Sequence, residues 1–103
     1  MAMDSAKSGG GPLLVAETRP ALAAKARIQL DRVTQKPVLL YPEGIVVLNE
    51  TGAAILQLCD GQRNFAEIVA ELAQTYEADT AALRDDVATY LQGLYRHSLI
   101  EFR

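Results

Sequence analysis

The sequence has a single cysteine, Cys59, among its 103 residues, and it has no tryptophan. One thiol cannot form an intrachain disulfide, so a reducing, cytoplasmic compartment is expected. No apolar run has membrane-spanning length, and no signal-peptide pattern opens the chain. The formal charge of −3 argues against a domain that mainly holds nucleic-acid phosphates, because such domains are usually basic.

The sequence also lacks the residue clusters that catalysis and metal binding need. The sole histidine, His97, is far along the chain from Cys59, so a thiol nucleophile with a neighbouring base is not expected. No set of Cys, His and carboxylate residues has metal-ligand spacing, and no glycine pattern matches a phosphate-binding loop. We therefore predict no enzyme, no metal site and no cofactor.

Half of the residues are hydrophobic, which is enough for one modest core. Residues 1–24 contain the linker-like stretch Ser8-Gly9-Gly10-Gly11-Pro12, and their apolar residues follow no period. They are predicted to form a flexible N-terminal tail, and residues 25–103 are predicted to form the domain.

The first part of the domain has the pattern of a β-meander. Ile28 and Leu30 alternate with polar neighbours, as in a half-buried strand. Val38–Tyr41 and Ile45–Leu48 are predicted as two more strands, because Pro42-Glu43-Gly44 between them is a strong turn signal. Three antiparallel strands follow from this spacing.

Helical spacing begins after the third strand. Asn49 is a good N-cap for a first helix, and Gly61 is placed as its left-handed C-cap. Asn64 with Glu67 resembles a capping box for a second helix, and Asp79 or Thr80 caps a third. The predicted fold is α+β, a small three-stranded antiparallel sheet followed by three helices, with winged helix-turn-helix-like packing.

A winged-helix-like fold makes nucleic-acid binding an alternative function. A recognition helix should direct Arg, Lys, Asn or Gln towards base edges, and the third helix offers Arg84, Gln92 and Arg96. Three aspartates on the same helix or at its cap offset that charge. A small enzyme built around Cys59 is a second alternative, although a buried structural cysteine is the simpler interpretation.

The third strand, Ile45–Leu48, is apolar from its first to its last residue, which implies that both of its faces become buried. If it lies at the sheet edge, its unpaired backbone groups need a cover. Two covers are open at this point. The third helix or the C-terminal segment can cover the strand from within, or a peptide can add to it as a further strand.

Four segments together resemble the PqqD family of pyrroloquinoline quinone biosynthesis. They are VLLYPEG, a strand ending in LN, ETG followed by IL, and LCDG followed by R. The resemblance covers Ala26 to Phe102. It implies a peptide-recognition domain that binds the precursor peptide PqqA and presents it to the radical SAM enzyme PqqE, which crosslinks a glutamate and a tyrosine of that peptide.

The resemblance also implies where the peptide binds, as an extra strand in a cleft closed by the third helix. The expected strand residues are Gly44, Ile45, Val46, Val47 and Leu48. With Leu83, Val87 and Leu94 assigned to the core, helical spacing places Arg84, Ala88, Leu91 and Tyr95 on the cleft side. The implied partners are PqqA and PqqE, with no nucleic acid and no membrane. We expect a monomer that can dimerise at high concentration.

Overall fold

The structure, a computed structural model, describes residues 14–103. These residues form two small antiparallel sheets and three helices, which confirms the predicted α+β class and is consistent with winged-helix-like packing. In chain order the elements are β1 (Pro20–Leu22), β2 (Arg27–Leu30), β3 (Pro37–Tyr41), β4 (Gly44–Val47), α1 (Glu50–Gln57), α2 (Phe65–Tyr76), α3 (Thr80–Arg96) and β5 (Ile100–Phe102).

The larger sheet is the predicted meander, in the order β2-β3-β4. Tyr41 pairs with Gly44, so the turn between β3 and β4 consists of Pro42 and Glu43 alone. In the middle strand, β3, Leu39 pairs with Ile28 of β2 on one side and with Val46 of β4 on the other. Residues that pair across strands share a face of the sheet, so these three point together towards the core.

The three predicted helix starts are confirmed. The side chain of Asn49 accepts a hydrogen bond from the Gly52 N–H at 2.6 Å. Asn64 and Glu67 form a complete capping box, and Asp79 caps α3. Each cap satisfies a backbone donor that the first helical turn leaves unpaired. The C-terminal prediction for α1 is wrong, because α1 ends at Gln57 with Leu58 as its cap, and Gly61 lies in the following loop.

The smaller sheet corrects the predicted tail. Residues 20–22, which the sequence analysis assigned to a flexible segment, form β1 and pair antiparallel with β5. Ala21 is 5% exposed, so this strand belongs to the folded domain. A strand of three residues is too short to show a period, and its partner lies about 80 residues away in sequence. The part of the predicted tail at residues 1–13 lies outside the described residues.

The core lies between the larger sheet and the three helices. Its most buried members come from a strand of each sheet and from every helix, namely Leu39, Leu56, Ile68, Val87, Leu91 and Ile100. α3 directs Val87, Leu91 and Leu94 into this core. Two sides of α3 remain beside that buried stripe: Tyr95 stacks on Phe102 of β5, and the opposite side faces β4 across a groove.

Candidate functional site

β4 is an edge strand of the larger sheet. Within residues 14–103, β3 is the only strand that pairs with it. In that part of the chain neither α3 nor β5 supplies a strand to the outer edge of β4. An uncovered edge presents unpaired backbone N–H and C=O groups, which another strand can bond.

The backbone groups of β4 alternate between its two edges. The Leu48 N–H donates to the Pro37 carbonyl of β3 at 3.0 Å. Because backbone groups in an antiparallel strand reverse direction at each residue, the N–H and C=O of Val46 also point towards β3. The N–H and C=O groups of Ile45 and Val47 therefore point outward, where a further strand would lie.

The side chains of β4 alternate between the two faces of the sheet. Val46 shares the core-facing side with Leu39, whereas Ile45 and Val47 point to the opposite face. Ile45 is 56% exposed and Val47 is 67% exposed. The expectation that both faces of this strand are buried is therefore not met within the described domain. Leu48, the last predicted strand residue, is 4% exposed and packs in the core.

A groove of about 440 Å³ separates β4 from α3. The sheet forms one side of the groove and α3 forms the other. Leu99, which directly precedes β5, completes the lining. The lining residues are Tyr41, Val46, Thr89, Tyr90, Gly93, Leu94, His97 and Leu99. None of them is an aspartate, glutamate, lysine or arginine, so the groove favours apolar and aromatic groups.

Tyr90 forms part of the helical wall of this groove, and Gly52 of α1 lets it lie there. A Cβ added at position 52 would lie 2.6 Å from the Tyr90 Oη, so only glycine leaves room for the tyrosine side chain there. Burial raises the pKa of the Tyr90 hydroxyl, and the nearby Cys59 thiol adds to the shift. The tyrosine is therefore a neutral, half-buried part of the groove wall, and its position depends on its contact with α1.

The structure corrects the predicted helical side of the cleft. Leu91 is fully buried in the core, and Tyr95 stacks on Phe102 with ring centroids 4.8 Å apart. Arg84 is exposed and Ala88 packs against the core; neither lines the groove. Along α3 and directly after it, the lining includes positions 90, 93 and 97, each two residues after a predicted position, so the groove side lies on nearly the opposite face of the helix, about 200° around it. Of the predicted strand residues, Val46 lines the groove directly.

One sequence signal could have identified the correct side of α3. Leu91 lies four residues after Val87 and three before Leu94, so the three form one continuous stripe that belongs to the core. With that stripe buried, Gly93 falls on the side facing β4. A glycine inside an otherwise well-formed helix costs stability, and it indicates that backbone space is needed there.

The LCDG segment has a structural role away from the groove. Cys59 is buried and donates a hydrogen bond to the Ile55 carbonyl at 3.3 Å. Burial raises the pKa of this thiol to about 12, with a further contribution from Asp60. The Asp60 carboxylate accepts from the N–H groups of Arg63 and Gln62, which lowers its pKa. The Gly61 N–H donates to the Pro20 carbonyl, so this loop connects α1 to β1.

A second groove, of about 650 Å³, lies at the far end of β4, between the start of β3 and α1. Its lining includes Val47 and Leu48 of the predicted strand but no residue of α3, so it borders the end of β4 and is separate from the groove between β4 and α3. Within residues 14–103 no group of three or more His, Cys, Asp and Glu residues could hold a metal ion. No helix in the described range is long and apolar enough to cross a membrane.

Comparisons with known proteins identify similar sequences. The family model described as coenzyme PQQ synthesis protein D (PqqD) matches residues 37–100. A "PqqA binding protein" of Methylococcus capsulatus is 40% identical over 84 residues, which is 82% of this chain and 88% of that protein. A "PqqA binding protein" of Rhodopseudomonas palustris (strain TIE-1) is 44% identical over 81 residues, covering 78% of this chain and 79% of the relative.

Solved structures also resemble the chain. The solution structure of the PqqD truncation of Methylobacterium extorquens PqqCD, described as a stand-alone RiPP recognition element, matches with a TM-score of 0.69 and 36% identity. It covers 80% of this chain and 87% of that one. The crystal structure of PqqD from Xanthomonas campestris matches with a TM-score of 0.53 and 30% identity, covering 94% and 97% of the two chains.

Proposed function

Because this chain belongs to the PqqD family, we propose that it binds the precursor peptide PqqA as an added strand along β4 and presents that peptide to the radical SAM enzyme PqqE. The relatives named above support the peptide partner, since they are called PqqA binding proteins. The observation that carries the binding mode is the one-sided pairing of β4 beside the groove under α3.

The site has the two features that strand addition requires. The outward backbone groups of Ile45 and Val47 give a peptide main-chain hydrogen bonds, which supply affinity for any sequence. The groove receives the side chains on one face of the added strand, which supplies selectivity. A peptide strand would also cover part of the exposed Ile45 and Val47 side chains, which removes apolar surface from water.

The proposed role is non-catalytic and needs no cofactor in this chain. Cys59, the only thiol in the sequence, is buried with its pKa raised to about 12, so its nucleophilic thiolate is scarce at neutral pH. Nucleic-acid binding has no specific observation in its favour, because the exposed Arg84 of α3 is followed by the exposed Asp85 and Asp86. The cytoplasmic location remains a prediction from the sequence.

Amide hydrogen exchange tests the binding mode at single-residue resolution. In the free protein the amides of Ile45 and Val47 should exchange quickly, whereas Val46 should be protected by β3. A synthetic PqqA peptide should slow exchange at Ile45 and Val47 and leave Val46 nearly unchanged, because only the outward groups gain partners. Protection confined to β2, or to the α1 residues that line the second groove, would contradict the proposed site.

A variant pair tests the same backbone groups by affinity. Val47→Pro removes an outward N–H, and proline is tolerated where an edge-strand N–H faces solvent, so the domain should still fold. It should weaken PqqA binding by about 1–2 kcal/mol, or roughly 5- to 30-fold. Val47→Thr is the matched control, since it keeps both the N–H and the β-branched shape, and it should bind within about twofold of wild type. Equal affinity of the two folded variants would contradict strand addition.

A further inference from the structure

Gly93 is a helical glycine that the packing of the domain does not require. A Cβ built at position 93 meets no heavy atom within 4 Å, whereas one at Gly52 would lie 2.6 Å from the Tyr90 hydroxyl. Glycine inside a helix is less stable than alanine, because the unfolded chain has more backbone freedom to lose. The open space at Gly93 is therefore maintained at a cost to stability that no contact within the described domain explains.

The empty position lies on the groove wall between two large side chains. Tyr90 and His97 lie about one helical turn before and after Gly93, and both line the groove. Val46 of β4 lines the same groove from the sheet side. The missing side chain thus leaves a recess in the helical wall at the level of the added strand.

The register of an added strand determines which peptide residue reaches this recess. Residues opposite Ile45 and Val47 would point to the outer face of the sheet, as those two residues do. The residue opposite Val46 would share its core-facing direction and enter the groove. No aspartate, glutamate, lysine or arginine lines the groove, so an ionised side chain would lose hydration there without gaining an ion pair with any of these residue types.

On the basis of the function proposed above, we propose that Gly93 forms the floor of a subsite for one large apolar side chain, aromatic or long aliphatic, of the bound peptide. That side chain belongs to the peptide residue opposite Val46. This explains the glycine, because the absence of a side chain lowers helix stability but leaves the recess that the peptide side chain fills.

Substitutions at Gly93 test the subsite, because stability and binding should change in opposite directions. Gly93→Ala should raise the midpoint of chemical unfolding while weakening the affinity for a synthetic PqqA peptide by a few-fold, roughly 2- to 5-fold. Gly93→Met fills the recess and should weaken binding by about tenfold or more. Ala82→Met is the matched control, since it adds the same side chain to an exposed position of α3 outside the groove.

A peptide scan identifies the complementary residue. Alanine substitution along PqqA should reveal one apolar residue whose truncation costs wild-type binding about tenfold. The same truncation should cost much less against Gly93→Met, because the recess is already filled and the two losses are not additive. Contacts between that peptide residue and Val46, observed by nuclear Overhauser effects, give its register.

The outcomes separate this inference from the function on which it rests. Wild-type protein that does not bind PqqA overturns both. Protection of Ile45 and Val47 by PqqA, with unchanged affinity in folded Gly93→Met and Gly93→Ala, overturns the subsite alone. If Gly93→Met does not fold, the smaller Gly93→Ala decides the question. Equal losses of PqqA affinity in Gly93→Met and Ala82→Met also overturn the subsite.

Discussion

At the scale of single residues, the two glycines that flank Tyr90 in space have different reasons to be glycine. Gly52 is required by contact, because the Tyr90 hydroxyl occupies the space that its Cβ would need. Gly93 is required by no contact in the described domain, and the proposed peptide subsite accounts for its open position. The surroundings of each glycine in the structure therefore show which of the two reasons applies.

Cys59 gives a prediction about stability at alkaline pH. Its folded-state pKa is raised from 9.0 to about 12, so the native state favours the neutral thiol. This preference contributes to the free energy of unfolding. The contribution is fully present below the unfolded-state pKa near 9 and is lost as the pH rises through about 12. Between about pH 8 and about pH 10.5, wild type should lose about 2 kcal/mol of unfolding free energy relative to Cys59→Ala.

Chemical denaturation of both proteins at the two pH values measures this difference. Cys59→Ala starts from a lower stability, because it removes a buried side chain, but it cannot titrate at this position. The difference between the proteins should therefore shrink as the pH rises. A constant difference would show that the thiol ionises as easily in the folded protein as in the unfolded chain.

At the scale of secondary-structure elements, Gly52 of α1 lies against Tyr90 of α3, which forms part of the groove wall. Gly52→Ala should push the Tyr90 ring away from α1 and towards the peptide, because the new Cβ would lie 2.6 Å from the hydroxyl. Binding of PqqA should weaken by about 1 kcal/mol, while gained helix propensity offsets part of the strain in the free domain. Isothermal titration of PqqA measures the loss.

Tyr90→Phe supplies the control for this contact. It removes the hydroxyl oxygen and leaves the ring, whose nearest carbon would lie 3.1 Å from the new Cβ. Gly52→Ala should therefore cost less binding in the Tyr90→Phe background than in wild type, which a double-mutant cycle detects as coupling. If the two substitutions cause additive losses of binding free energy, Gly52→Ala weakens PqqA binding by a route that does not involve Tyr90.

The elements differ in how well the sequence predicts them. The meander and the helix starts follow from local chemistry: the Pro42–Glu43 turn and the caps at Asn49, Asn64 and Asp79 act within a few residues. The pairing of β1 with β5 joins distant segments, and a three-residue strand has no local pattern to reveal it. The predicted cleft side of α3 is wrong because Leu91 is fully buried with Val87 and Leu94, and the packing of this stripe in the core sets which side of the helix faces β4.

At the scale of the whole molecule, the uncovered edge of β4 predicts self-association at high concentration. Two copies can pair their edge strands in the way that a peptide pairs with one, and the exposed Ile45 and Val47 add apolar surface to such a contact. PqqA should compete for the same edge. Sedimentation velocity should therefore show a monomer at low concentration and a dimer at high concentration, which excess PqqA dissociates.

Val47→Pro is the informative variant for this prediction, because it removes a backbone donor that both the dimer and the peptide complex would use. It should weaken self-association, whereas Val47→Thr should not. A dimer that persists with saturating PqqA would use a different surface, and the free edge would then be accessible in the dimer as well.

The pairing of β1 with β5 has a consequence for how the domain can be connected to other proteins. Arg19 and Arg103 donate their N–H groups to each other's carbonyls, at 2.8 and 3.0 Å. The chain ahead of residue 19 continues to the start of α2, where the Thr18 and Ala16 carbonyls accept hydrogen bonds from the Phe65 and Ala66 N–H groups. Polypeptide attached beyond residue 103 therefore begins next to β1, and a fusion partner joined there should leave the proposed peptide-binding edge of β4 free.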